Sequence, residues 1–235
     1  MNDPFLQATG VSNEASAMTN AIASAFGRNR IYEGIVDDET RTRLRCAIAN
    51  LMRAEARAYT QAVSDEEHCA AVRRIAASVS QQFGCYLAGG RFRYGTSQKA
   101  FNLYLKFLWR LGQILPPPHC PVDRVVLTKG GIEAAWTRSD SEQDYKCWIN
   151  RLRWQARPLS LAEWEYKIWQ DGAGHSSACG APCGHAKKAT EDKLPRESAV
   201  QGTPQPLSSP RQDSLRDAAN DLRQKLISLG LVVPK

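Results

Sequence analysis

Three times in this chain a serine stands three residues ahead of a glutamate at the head of an apolar run with helical spacing. Ser64-Asp-Glu-Glu67 precedes Val72, Ile75, Val79 and Phe83; Ser139-Asp-Ser-Glu142 precedes Tyr145, Trp148, Ile149 and Leu152; Ser160-Leu-Ala-Glu163 precedes Trp164, Ile168 and Trp169. In such a box the serine hydroxyl accepts from a free backbone N–H of the first turn, and the glutamate reaches back to the serine's own N–H. Each box therefore sets both the start and the direction of a helix. Arg41 to Ala62 adds Leu44, Ile48, Leu51 and Met52 at the same period, and Leu103, Phe107, Leu108 and Leu111 mark one side of another helix. The expected class is all-α.

Composition changes along the chain give the expected boundaries. Residues 1–30 are small and polar with weak apolar anchors, and read as a flexible lead-in with one short helix. Residues 31–170 read as the helical domain, with Gly89-Gly90 ending the helix that Ser64 opens. Residues 171–210 shift to Gly, Ser, Pro, Lys and Glu, the composition of a disordered linker. Residues 211–235 carry Leu215, Ala218, Leu222, Leu226 and Leu229 ahead of Gly230, an amphipathic helix with a glycine stop. No run approaches the roughly 18–20 apolar residues of a membrane span, and Met1-Asn-Asp-Pro-Phe5 lacks the basic and apolar regions of a signal peptide. The expectation is a soluble cytoplasmic protein without a membrane partner, and seven cysteines without a repeating frame fit reduced thiols.

One segment reads as chemistry. Gly95-Thr96-Ser97-Gln98-Lys99 opens an apolar helix with a lysine in its first turn. After a proline-stiffened loop, Pro116-Pro-Pro-His119-Cys120, the sequence Pro121-Val122-Asp123 places a carboxylate ahead of Val125-Val126-Leu127. By periodicity alone that last apolar run is short enough to be a strand. Between Arg91 and Lys129 the bases Arg91, Arg93, Lys99, Lys106, Arg110, Arg124 and Lys129 face one acid, Asp123. With a net charge of +7, this distribution suits a polyanionic partner held by phosphate contacts.

The layout resembles the helix-hairpin-helix (HhH-GPD) DNA glycosylase superfamily over roughly a seventh of the chain. Gly95 to Lys99 stands where that family has Gly-x-Gly-x-Lys, with Ser97 replacing the second glycine, and Pro121-Val122-Asp123 matches its aspartate segment. The Lys99 to Asp123 gap of 24 residues is longer than in most of the family and is similar to the archaeal 8-oxoguanine glycosylase branch. A divergent glycosylase acting against phage DNA fits the same pattern. The resemblance implies a helical glycosylase-like domain that flips a damaged or modified base out of double-stranded DNA, cleaves its N-glycosidic bond and leaves an abasic site, in repair or in defence. It makes Asp123 the carboxylate that stabilises the oxocarbenium-like transition state. It makes Lys99 either a phosphate contact or a nucleophile giving lyase activity, with a monofunctional enzyme preferred. Gly95, Thr96, Ser97, Gln98, Arg93 and Arg124 become the DNA-binding residues, and Tyr94 and Asn102 the base pocket.

Bland readings stand beside these. Asp123 also suits a helix N-cap, Trp109 suits the core, and the same hairpin could serve a non-catalytic DNA-binding or adaptor protein. His175, Cys179, Cys183 and His185 supply four soft ligands, but in a spacing of no common zinc finger and within the expected linker, so they are read as accidental. His119 and Cys120 are adjacent and should point apart, which argues against a thiol–imidazole pair. No metal or cofactor is expected.

Overall fold

In a computed structural model describing residues 3–27 and 29–176, two of the three boxes form where the sequence places them. Ser64 accepts from Glu67 N–H and opens helix α4 (Asp65–Phe83). Ser160 exchanges bonds of 2.9 and 3.3 Å with Glu163 at the head of α8 (Leu161–Ser176). The third helix starts two residues later than its box implies. Ser141 caps α7 (Glu142–Ala156) by accepting from Asp144 N–H, because the Ser139 carbonyl is taken by the N–H of Gly95 at 2.9 Å. The displaced glutamate, Glu142, pairs with Arg73 and Lys146 instead.

The remaining helices are α1 (Pro4–Thr9), α2 (Glu14–Phe26), α3 (Asp38–Ala56), α5 (Tyr94–Arg110) and α6 (Arg124–Lys129). Among the described residues there is no strand, only an isolated bridge between Tyr32 and Leu87. The all-α class therefore holds, and Val125-Val126-Leu127 is helix. The described part of α8 runs six residues past the expected boundary at 170. The rest of the expected linker, the C-terminal helix at 211–235, and Cys179, Cys183 and His185 lie outside the described residues, as does the side chain of His175. No helix among the described residues is long and apolar enough to cross a membrane.

Helix α5 is the axis of the domain. Every residue from Tyr94 to Leu108 is buried, with α2, α3 and α4 packed around it. The apolar period gives one reason: Phe101, Leu105 and Phe107 are 0–1% exposed. A buried helix cannot leave polar groups unpaired without cost, and α5 also carries Ser97, Gln98, Lys99, Asn102 and Lys106 inside. Each finds a partner on another segment. Ser97 Oγ donates to the Val72 carbonyl at 2.9 Å, and Lys106 pairs with Glu165 at 2.6 Å beneath the Phe5 ring.

Residues 3–27 overturn the expectation of a flexible lead-in. Asp3 caps α1 and is locked to Arg110. Asn13 and Ser16 form a capping box at the head of α2. Ala17, Ala21 and Ala25, spaced one turn apart and fully buried, give α2 a flat face that packs closely on α5. Alanine carries little hydrophobic area, so this face leaves a weak apolar signal in the sequence despite its central place in the packing.

Candidate active site

Lys99 and Asp123 meet. Pro121 and Val122 are buried, and Asp123 follows in extended conformation as the N-cap of α6, its Oδ1 accepting from Val125 N–H at 3.0 Å and Val126 N–H at 3.1 Å. Its Oδ2 accepts from Lys99 Nζ at 2.7 Å. Burial pushes the Asp123 carboxyl up. The adjacent Lys99 ammonium and the two capping N–H groups outweigh that effect, so it titrates below the usual carboxylate value. The group is an anion at neutral pH, with its side chain still 24% exposed.

Beside this pair lies a cavity of about 440 Å³, within the range of small-molecule sites. Phe5, Leu103, Phe107, Val125 and Trp136 give it apolar walls, and Thr9, Asn20 and Ser24 polar ones. The Phe5 and Phe107 rings stack at 5.0 Å. An anion next to a bound cation, facing an aromatic chamber, can stabilise positive charge that develops on a ligand.

The side-chain amides of α5 hold the carboxylate segment in place. Gln98 donates to the Val122 carbonyl at 2.7 Å and accepts from the Val122 N–H at 3.2 Å, the pairing of a short strand made by a side chain. Asn102 donates to the Cys120 carbonyl at 3.0 Å and contacts Gln98 Oε1 and Tyr145 Oη. From Tyr145 the bonding continues to His119 Nδ1 at 2.9 Å, from His119 Nε2 to Asp65 at 3.2 Å, and from Asp65 to both terminal nitrogens of Arg153. His68 lies against His119 at 4.3 Å between ring centroids and bonds Tyr59 Oη at 2.7 Å. Burial holds both imidazoles below their ordinary value, in His119 against the pull of Asp65. Cys120 is buried next to this network, which pushes its thiol up and leaves it no nucleophile.

Because His68 and His119 bind protons less readily folded than unfolded, the unfolded chain takes up more protons below about pH 6.5, and stability falls with pH. Between pH 7.5 and 5.5 the unfolding free energy should therefore fall, by at most about 1.4 kcal/mol per histidine. Urea midpoints at the two values measure it. Equal midpoints would mean that the histidines are not buried as neutral groups.

Several expected site residues sit elsewhere. Gly95, Thr96, Ser97 and Gln98 are buried within the first turn of α5 and present no surface to a phosphate. Gly95 is there because a Cβ would run into the Trp136 carbonyl, so glycine is needed for close packing and not for a tight turn. Tyr94 is 6% exposed, packs on Tyr145 and does not line the cavity; Asn102 is fully buried in the strut just described. Arg93 and Arg91 both pair with Asp140, Lys106 pairs with Glu165 and Arg110 with Asp3. The apparent basic run is thus largely neutralised by acids from distant parts of the chain. Arg124 and Lys129, exposed on α6, have no ion pair among the described residues. Trp136 lines the cavity; Trp109 is half-buried against Tyr166. Phe5, Thr9, Asn20 and Ser24 were missed; Asp3 ahead of Pro4 was the signal for the short helix that carries Phe5 and Thr9, and the Asn13 to Ser16 box the signal that residues 14–26 form a helix able to carry Asn20 and Ser24.

Neither a protein-family profile, nor a curated protein, nor a solved structure matches the chain. Among the described residues no three His, Cys, Asp or Glu side chains are grouped to hold a metal ion.

Proposed function

We propose that this protein is a DNA glycosylase that excises a damaged or modified base. The observation that carries the reading is the Lys99–Asp123 pair lining an aromatic-walled cavity, in a segment whose motif resembles that of the helix-hairpin-helix glycosylases. The target nucleotide leaves the stack and its base enters the cavity. The C1′–N bond then breaks, its electron pair leaving on the base nitrogen, which takes up a proton. Positive charge grows on the sugar, and the Asp123 carboxylate, already ionised and fixed by two N–H donors, stabilises it. Water adds at C1′ and loses a proton, giving an abasic site and a free base. Exposed Arg124, which follows Asp123 at the head of α6, and exposed Lys129, at the other end of that helix, supply cations for the flanking phosphates.

Lys99 is committed to the carboxylate, which favours a monofunctional enzyme in which the lysine positions Asp123. Incubation with substrate duplex and borohydride should therefore trap no protein–DNA adduct, because a Schiff base requires the amine free and within reach of the sugar carbon. A trapped adduct that disappears in Lys99→Gln would instead make Lys99 the nucleophile. The reading as a whole is tested by strand-nicking after abasic-site cleavage on duplexes carrying different modified bases. Duplex binding without release of any base would favour a non-catalytic DNA-binding protein, in which Asp123 serves as cap and ion-pair partner alone.

A further inference from the structure

The cavity has one polar wall that the glycosidic chemistry does not use. Asn20 and Ser24 lie one turn apart on α2 and line the chamber together with Lys99 and Asp123. The Asn20 amide donates one hydrogen to the Ser16 carbonyl at 3.0 Å, which fixes its orientation. Its carbonyl oxygen and second amide hydrogen have no partner among the described residues, and neither has the Ser24 hydroxyl. Thr9 differs: its hydroxyl is turned onto the Phe5 carbonyl at 2.7 Å, so it adds a wall and little recognition.

We infer that Asn20 and Ser24 determine which base is excised, by reading the polar edge of the base held in the cavity. This rests on the glycosylase reading. A carboxamide with one oxygen and one hydrogen free matches a base edge that sets a donor beside an acceptor, through two hydrogen bonds. Ser24, one turn along, offers either role to a substituent extending from that edge. The apolar walls contribute contact without discrimination, because π-faces are common to all bases. Selectivity then falls to the groups whose bonds a wrong base would leave unmade.

The test compares wild-type full-length protein with Asn20→Leu and Ser24→Ala, each checked for unchanged melting temperature and unchanged affinity for duplex carrying an abasic site. Single-turnover excision is measured over a panel of damaged and modified bases, and binding of free adenine, guanine, cytosine and uracil by saturation-transfer NMR. Each variant should excise the preferred base about tenfold to a hundredfold more slowly, with a changed order of preference across the panel. Wild type should bind at least one free base, and Asn20→Leu should lose that signal. An unchanged order of preference in both variants would overturn the edge-reading role and leave the glycosylase reading intact. Excision of no base by wild type, with free-base binding still dependent on Asn20, would overturn the glycosylase reading and keep the recognition role. Neither excision nor base binding would end both.

Discussion

Asp123→Asn is expected to slow single-turnover base excision by a factor on the order of a hundred or more, while duplex affinity stays within about tenfold of wild type. Asparagine is as good an N-cap as aspartate, so the bonds from Val125 and Val126 N–H survive the change and the local fold should persist. What is lost is the negative charge that the proposed chemistry sets against the sugar. Lys99 also loses its partner. Because the pair is largely buried, leaving Lys99 charged without its partner should also cost stability, about 3 kcal/mol. Thermal melting measured beside excision separates the two roles. A lowered melting temperature with undiminished excision would leave Asp123 as structure only and end its assignment as the transition-state carboxylate. If Asp123 must be ionised, its depressed titration also places any acid limit from this group below the ordinary carboxylate range.

The second large effect is at Gly95. As a phosphate-gripping turn, this position predicts that Gly95→Val weakens duplex binding and flattens its salt dependence in a folded protein. The structure predicts a different phenotype. Any Cβ at Gly95 collides with the Trp136 backbone, and α5 and the 3₁₀ turn Trp136–Arg138 must separate, breaking the Gly95 N–H bond to the Ser139 carbonyl. Overpacking against backbone has no side chain to relax, so Gly95→Ala should already cost about 3 kcal/mol. Gly95→Val should cost more. Denaturant unfolding decides between the two accounts. A stable Gly95→Val protein with weakened DNA binding would restore the phosphate-grip reading.

Much of the architecture was legible because helices announce their ends locally. Ser64 and Ser160 cap where they should, and Leu44, Ile48, Met52, Val72, Ile75 and Val79 are buried as their spacing requires. Failures occurred where the deciding partner is remote in sequence. Ser139 looked like a cap because nothing nearby reveals that its carbonyl serves Gly95, and the basic run looked available because Asp3, Asp140 and Glu165 lie far along the chain. Gln98 and Asn102 read as a DNA contact and a base-pocket residue for the same reason: their partners are backbone groups 18–24 residues away. Helix α2 was overlooked because alanine packs through shape more than through area. The lysine and the acid could be paired only through the resemblance, since nothing local brings positions 24 residues apart to 2.7 Å.

The amide struts from α5 separate two quantities that sequence motifs usually tie together. Gln98 fixes Val122 and Asn102 fixes Cys120, so Asp123 takes its position from a rigid helix and not from the length of the loop leading to it. The segment from Gly112 to Pro116 is largely exposed and can therefore gain or lose residues without moving the carboxylate relative to Lys99. Spacing along the chain is then free to drift while the geometry of the lysine–carboxylate pair stays constant, and a search for relatives that demands a fixed interval would pass over proteins built the same way.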